Sequence, residues 1–265
     1  MKNKTISVLA NAKLNLHLEV LDRRDDGYHN LSSIFQSVTL SDSVSVSVND
    51  GEGISVVIKN ADITGENLAK SAAKLFLKSV NKAAKISIVI DKRIPLSAGL
   101  GGGSADAAAV LVCLNRLFDN PLSIDELERL GLELGADVPF CVSGGTRLVG
   151  GIGEQFFPCP KVPNLLVVLI KHHTKSSTGD MYKLLDSRTK IPTSNTDKIL
   201  KHMESDGFEK AAKLFTNSFL DVSPDRDEQY AIICLIKVLL QQVFQAVAPP
   251  FTDFLTFMMV IYLTS

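Results

Sequence analysis

Four glycines in one short run, Gly99, Gly101, Gly102 and Gly103, are the residues of this chain best suited to chemistry on an anion. Lacking β-carbons, they let a ligand approach the backbone, and they lead into a segment of helical periodicity whose open amides and positive dipole end favour a phosphate. Two other groups have chemical potential. Lys13 and Asn15 lie on the polar face of an alternating run, and Asp137 stands among apolar neighbours in Ala136-Asp137-Val138-Pro139-Phe140, a setting that can shield a carboxylate and tune its pKa. Tyr28 and His29 follow an Asp26-Gly27 turn, where an aromatic ring and an imidazole can stack on and hydrogen-bond a planar base. Each feature also has a structural reading. The glycines can be a linker, the polar strand face can be solvated, Asp137 can merely start the turn before Pro139, and Tyr28 and His29 can be ordinary loop residues.

Two common glycine motifs do not fit. A Walker loop needs Lys and then Ser or Thr after its last glycine, whereas Gly103 is followed by Ser104 and Ala105. A dinucleotide fingerprint needs glycine at position 104 and a loop that follows its strand at once, yet Lys92 to Ala98 intervenes with Pro95 inside it.

The elements that must position these residues can be read from periodicity. Lys85 to Asp91 alternates as a half-buried strand, and Ala107, Leu111, Leu114 and Phe118 mark a helix after the loop, with Ser104 placed to cap it. The order is strand, glycine loop, helix. From 14 to 20, Leu14, Leu16, Leu18 and Val20 take one face of a strand, opposite Lys13, Asn15, His17 and Glu19. Residues 34–59 read as a meander of antiparallel strands, and Glu66 to Lys82 as a helix with Asn67 in its first turn. Ser123 to Glu126 forms a capping box for a helix that stops at Gly135. Thr146 to Val149 and Leu165 to Ile170 read as strands, with a domain boundary near residue 155 between them. Helices are expected at Gly179 to Asp186, Thr196 to Ser205, Phe208 to Phe219 and Asp227 to Gln242. Strands followed by helices in this order give an α+β fold, divided as 1–155 and 156–265.

Composition narrows the classes. With 265 residues, 45% of them apolar, the chain can bury a substantial core, and a net charge of -1 without a basic run makes nucleic acid a poor partner. Cys113, Cys141, Cys159 and Cys234 are scattered without a C-x-x-C pair, as expected for reduced thiols of a cytoplasmic protein and not for a disulfide frame or metal site. His172 and His173 lack ligands at metal spacing and read as rim residues. No export signal or membrane span is expected, and oligomeric state is not legible.

Taken together, AKLNLHL at 12–18, DGYHNL at 26–31, PLSAGLGGGSADAA at 95–108 and LGADVPF at 134–140 resemble the ordered motifs of the 4-diphosphocytidyl-2-C-methyl-D-erythritol kinases. That family belongs to the galactokinase, homoserine kinase, mevalonate kinase and phosphomevalonate kinase (GHMP) superfamily. The resemblance implies a two-domain α+β architecture, with an N-terminal part like ribosomal protein S5 domain 2 and a ferredoxin-like C-terminal part. It implies ATP, with Mg2+, as cofactor, and phosphorylation of a hydroxyl on a cytidine diphosphate-linked sugar alcohol, a step of non-mevalonate isoprenoid precursor synthesis. By the same resemblance Lys13 and Asp137 are catalytic, and Pro95, Leu96, Ser97, Ala98, Gly99, Leu100, Gly101, Gly102, Gly103, Ser104 and Ala105 hold ATP, with Asn67 beside it. Asn15, Tyr28, His29 and Tyr182 fall at substrate positions. The likeness stops after about Gln242, where the family's C-terminal glycine- and serine-rich motif is replaced by VFQAVAPPFTDFLTFMM, as in a divergent or frame-shifted end. Two alternatives remain open here: another GHMP kinase acting on mevalonate or homoserine, and a nucleotide-binding homologue without turnover.

Overall fold

The computed structural model describes residues 4–62, 67–171, 178–187, 194–219, 221–222, 232–235 and 257–262. Two long antiparallel strands, β1 (Lys4–Arg23) and β2 (His29–Asn49), are joined by a turn in which Gly27 takes the left-handed φ of 87°. The expected meander is corrected here. IFQSVTL and SVSVSV run through as the single strand β2, with Asp42 between them fully buried. Its carboxylate accepts the Arg93 and Ile94 amides at 2.6 and 2.8 Å.

ISVVIK forms β3 (Gly53–Lys59), which pairs in parallel with β4 (Lys85–Asp91), and α1 (Leu68–Ser79) makes the crossover between them. A parallel neighbour requires such a crossover. β4 lies beside β2, which also pairs with β5 (Thr146–Gly150), and β5 carries β6 (Gln155–Phe157). The first sheet therefore runs two residues past the expected boundary at 155.

One face of this sheet is covered by α1 and by α2 (Gly102–Leu117). Val44, Val46, Val48, Ile86, Ile88 and Ile90 meet Ala72, Ala73 and Phe76 of α1 and Ala107, Ala108, Leu111 and Leu114 of α2. The alanines on α2 let its backbone sit close against the sheet. α3 (Ile124–Leu132) opens with the expected Ser123–Glu126 capping box.

A second, three-stranded sheet has β7 (Leu166–Lys171) between β8 (Ile232–Leu235) and β9 (Phe257–Tyr262), both antiparallel to it. The helix expected at Asp227 to Gln242 is thus contradicted at 232–235, where an Ile-Ile-Cys-Leu run suits a strand edge; the rest of it lies outside the described residues. α5 (Thr178–Asp186) matches its expected span, whereas α6 (Thr196–Lys201) passes into a π-turn at His202–Asp206. α7 (Phe208–Ala212) ends seven residues before the expected Phe219. The shortening frees Thr216 to Ser218 to pair with the edge of β1: Leu18 N–H donates to Thr216 O, and Ser218 N–H to Leu18 O, both at 2.9 Å. His172 and His173 lie outside the described residues. Among the described residues, no helix is long and apolar enough to cross a membrane.

Candidate active site

The glycine loop alternates into left-handed backbone three times, at Ser97 (φ 54°), Gly99 (73°) and Gly101 (67°). Successive amides of such a chain point inward as an anion-binding concavity. The expected cap is corrected: Gly101, not Ser104, is the N-cap of α2, and no side chain caps this helix. Because the left-handed glycine starts the helix early, Ser104 falls within the first turn. The bond from Ala105 N–H to Gly101 O follows the amides of Gly102, Gly103 and Ser104, and a sixteen-residue helix places its positive end at them.

β1 brings Lys13 to this loop. Its register against β2 slips between Asn11 and Lys13 and again between Asn15 and His17, so bulges bracket the segment and re-aim its side chains. Lys13 N–H donates to Leu100 O at 3.0 Å, fastening the strand to the loop. The buried Lys13 ammonium donates to Asn15 Oδ1 at 2.9 Å and lies 3.2 Å from Asp137 Oδ1. A β-carbon on Gly101 would stand 3.0 Å from Lys13 Cγ and 3.8 Å from Asp137 Oδ2. Asp137 is the N-cap residue of α4 (Val138–Ser143); its side chain makes no capping bond, which leaves Oδ1 to pair with Lys13. Three segments distant in sequence, at 13–15, 95–105 and 137, therefore converge.

Around this pair the field of the ions is visible in neighbouring groups. Burial pushes the Cys141 thiol up to about 12, with the Asp137 carboxylate adding to the rise and the Lys13 ammonium opposing it. Burial also raises the Tyr182 phenol, and the Asp137 charge raises it further.

Tyr182 lies in α5. Its ring stacks on His29 with centroids 5.1 Å apart and 16° between planes, and Phe219 meets it edge-on. His29 Nε2 is 2.7 Å from Asp186 Oδ1, and Arg23 approaches the other oxygen of that carboxylate at 3.7 Å. Tyr28 is 60% exposed at the turn and free to meet a ligand from outside. Asn67 is not inside the first turn but caps α1, its Oδ1 accepting the Ala69 and Lys70 amides. The next residue, Leu68, would touch a β-carbon on Gly103 at 3.7 Å, so Asn67 stands beside the loop with its oxygen already engaged.

Sequence reasoning missed several groups. Asp186 lies four residues after Tyr182, the spacing that puts both on one helix face, and that signal was available. Lys92 and Asp106 flank the loop and meet beneath it at 2.8 Å, with Asp42 on the other side of the ammonium at 2.5 Å. The solvated-face reading of His17 and Glu19 is also wrong. His17 is fully buried, accepting Thr216 N–H at Nδ1, and Glu19 accepts Ser194 Oγ and the Asn195 amide.

What suits the loop to a phosphate chain is the start of α2, where no side chain caps the amides of Gly102, Gly103 and Ser104. Gly101 and Gly102 are themselves held to glycine by packing, since β-carbons there would strike Lys13 and Ile94. Among the described residues no group of three or more His, Cys, Asp or Glu could hold a metal ion. An ion that arrives with phosphates needs only one or two protein oxygens, so the lack of such a group does not decide whether one enters with a nucleotide.

Comparison with known proteins agrees with this geometry. Residues 67–145 match the model of the GHMP kinases N terminal domain. A 4-diphosphocytidyl-2-C-methyl-D-erythritol kinase of Clostridium botulinum (strain Alaska E43 / Type E3) is 38% identical over 233 residues, 88% of this chain and 82% of that one. The enzyme of the same name from Carboxydothermus hydrogenoformans is 39% identical, over 82% of this chain and 77% of its own. A crystal structure of 4-(cytidine 5'-diphospho)-2C-methyl-D-erythritol kinase is 32% identical with a TM-score of 0.68, covering 82% of this chain and 76% of that one. Homoserine kinase from Cytophaga hutchinsonii, 17% identical with a TM-score of 0.71 over 98% of this chain and 94% of its own, shares the fold. With its glycine loop and its Lys13–Asp137 pair set in that fold, this chain belongs to the 4-diphosphocytidyl-2-C-methyl-D-erythritol kinase family of the GHMP kinases.

Proposed function

We propose that the chain phosphorylates a hydroxyl of 4-diphosphocytidyl-2-C-methyl-D-erythritol at the expense of ATP, as an enzyme of non-mevalonate isoprenoid precursor synthesis. The observation that carries this reading is the ion pair of Lys13 and Asp137, packed against Gly101 of the loop. Phosphoryl transfer asks little covalent chemistry of a protein; it asks for alignment and for cancellation of charge on the moving group.

In this reading Pro95 to Ala105 hold the phosphates, with the amides of Gly102, Gly103 and Ser104 donating to them and Asn67 flanking the nucleotide. Bound ATP supplies the transferable phosphoryl group, and Ser104 Oγ contributes to holding the accompanying Mg2+. Asp137 accepts the proton of the attacking hydroxyl as its oxygen bonds to phosphorus, and the bond to the departing diphosphate breaks. Lys13, 3.2 Å away, keeps that carboxylate oriented and offsets negative charge on the transferring group. Asn15 holds the ammonium and borders the substrate. The stacked pair of His29 and Tyr182, with Tyr28 at the mouth, grips the cytosine; a base stacked on such a ring contributes about 1–3 kcal/mol to binding. Residues 1–155 act as the nucleotide-binding unit and 156–265 as the second unit, and the setting is cytoplasmic.

The test is direct. Purified protein is given ATP and Mg2+ with the cytidylated alcohol, mevalonate or homoserine in parallel, and products are followed by phosphorus NMR. A new phosphomonoester from the cytidylated alcohol supports the reading. Transfer to mevalonate or homoserine instead would overturn it.

A further inference from the structure

We propose that Phe35 is a positioning residue for Lys13, its ring face holding the ammonium at the angle from which it meets Asp137; this rests on the function proposed above. Lys13 Nζ lies 4.1 Å from the centroid of the Phe35 ring. A lysine ammonium has three N–H groups. Two of its directions are taken by oxygens, Asn15 Oδ1 at 2.9 Å and Asp137 Oδ1 at 3.2 Å, and the ring face takes the third side.

The attraction is electrostatic, between the cation and the negative face of the aromatic quadrupole, and it strengthens where water is excluded. Here Lys13 is 5% exposed and Phe35 is 3% exposed. An aliphatic side chain would fill the same space without that pull. The end of the lysine stem is then held by Asn15 Oδ1 and Asp137 alone, with its third side free to shift as a phosphate approaches.

The ring itself cannot swing. Phe35 sits opposite Asn15 of β1 on one side and opposite Arg147 of β5 on the other, in the middle of a sheet. Phe140 meets its ring edge-on, with centroids 5.3 Å apart and planes at 89°, and Phe156 backs Phe140. Phe140 belongs to α4, three residues after Asp137. One helical turn therefore fixes both the carboxylate that pairs with Lys13 and the aromatic edge that locks the ring beneath it. Phe35 touches neither hydroxyl nor phosphate in this account; it acts through Lys13.

The test replaces Phe35 by 4-fluoro-, 3,5-difluoro- and 3,4,5-trifluorophenylalanine, which drain the negative ring face with little change of shape. Unsubstituted phenylalanine inserted by the same route is the control. The expected result is a stepwise fall in kcat, reaching about tenfold at three fluorines, with KM for ATP and Tm at control values. Phe35→Leu should lose about as much kcat as the trifluoro protein. A flat kcat across the series, with Phe35→Leu falling only alongside Tm, would reduce Phe35 to packing and overturn the proposal. Should the control itself fail to phosphorylate the cytidylated alcohol, the proposed function fails separately. The same series is then read by the acylation rate of Lys13 with an amine-reactive ester. That rate should rise with each fluorine, and a constant rate overturns the positioning role.

Discussion

Gly101 concentrates two demands in one residue: a left-handed φ of 67° and a Cα surface against which Lys13 packs. Gly101→Ala should therefore lose both backbone comfort, worth about 1–2 kcal/mol, and the alignment of the lysine. Gly145, with φ 83° and open space where a β-carbon would go, separates the two effects. In thermal melts Gly101→Ala should drop at least as far as Gly145→Ala, which carries the backbone cost alone, and only Gly101→Ala should weaken ATP in a binding titration. Equal affinity in the two variants would mean that the loop does not need its close approach to Lys13. The glycines were legible as an anion cradle because missing β-carbons are a property of composition. Asp137 was not, since its meaning depends on a lysine 124 positions away, and only the resemblance joined the two. His17 and Glu19 misled for the same reason: alternation shows that a strand has a second face but not what covers it. What covers it here comes from residues 194–196 and 216–218.

At the scale of elements, two buried clusters hold the segments that carry the site, and they respond to pH with opposite sign. Burial holds His17 below the usual imidazole range, outweighing the Glu19 carboxylate beside it. Facing it are Glu19 on its own strand, Thr196 at the start of α6, and Thr216 and the Phe215 ring after α7. The unfolded chain, with an imidazole near 6.5, takes up a proton first, so stability present above that pH is lost as the pH falls below it. A comparison of Tm at pH 7 and 5.5 should show a smaller drop in His17→Gln than in the unaltered protein; equal drops would remove His17 from the account.

Beneath the glycine loop one ammonium, Lys92, faces two carboxylates, and Asp106 Oδ1 is buried without a hydrogen-bond partner. Burial pushes Asp106 up to about 7, the Lys92 ammonium opposing and the Asp42 carboxylate adding to the rise. Its proton is kept in the fold but released near 3.8 by the unfolded chain, so this contribution is present in acid and lost as pH rises through about 7. Asp106→Asn keeps the neutral shape. Its Tm relative to the unaltered protein should improve between pH 6 and 8, and a constant difference would contradict a proton held on Asp106. The strand, loop and helix around this cluster were legible from periodicity. The cluster was not, because nothing in the run that holds Asp42 shows that its carboxylate meets a lysine 50 positions on.

Across the whole molecule, the parts assigned to the site come from separate stretches of chain: β1 and the glycine loop belong with the first sheet, and Tyr182 comes from α5, after β7. A ligand held by such a site stabilises the folded state by mass action. ATP at a hundred times its Kd should add about 2.7 kcal/mol, a rise in Tm that the cytidylated alcohol should extend by closing on His29 and Tyr182. The larger share of the first sheet was legible in the sequence, where alternation is long and unbroken. The second was read less well, because short apolar runs such as Ile232–Leu235 suit strand and helix alike until an open neighbour selects one.

The central claim is that Asp137 receives the proton of the substrate hydroxyl while the loop, independently, holds the nucleotide. The most direct measurement compares the unaltered protein with Asp137→Ala, following both ATP-dependent phosphorylation of the cytidylated alcohol and ATP affinity. Turnover should fall by about 100-fold or more while ATP affinity is largely kept. Turnover within a few-fold of the unaltered protein would contradict the account.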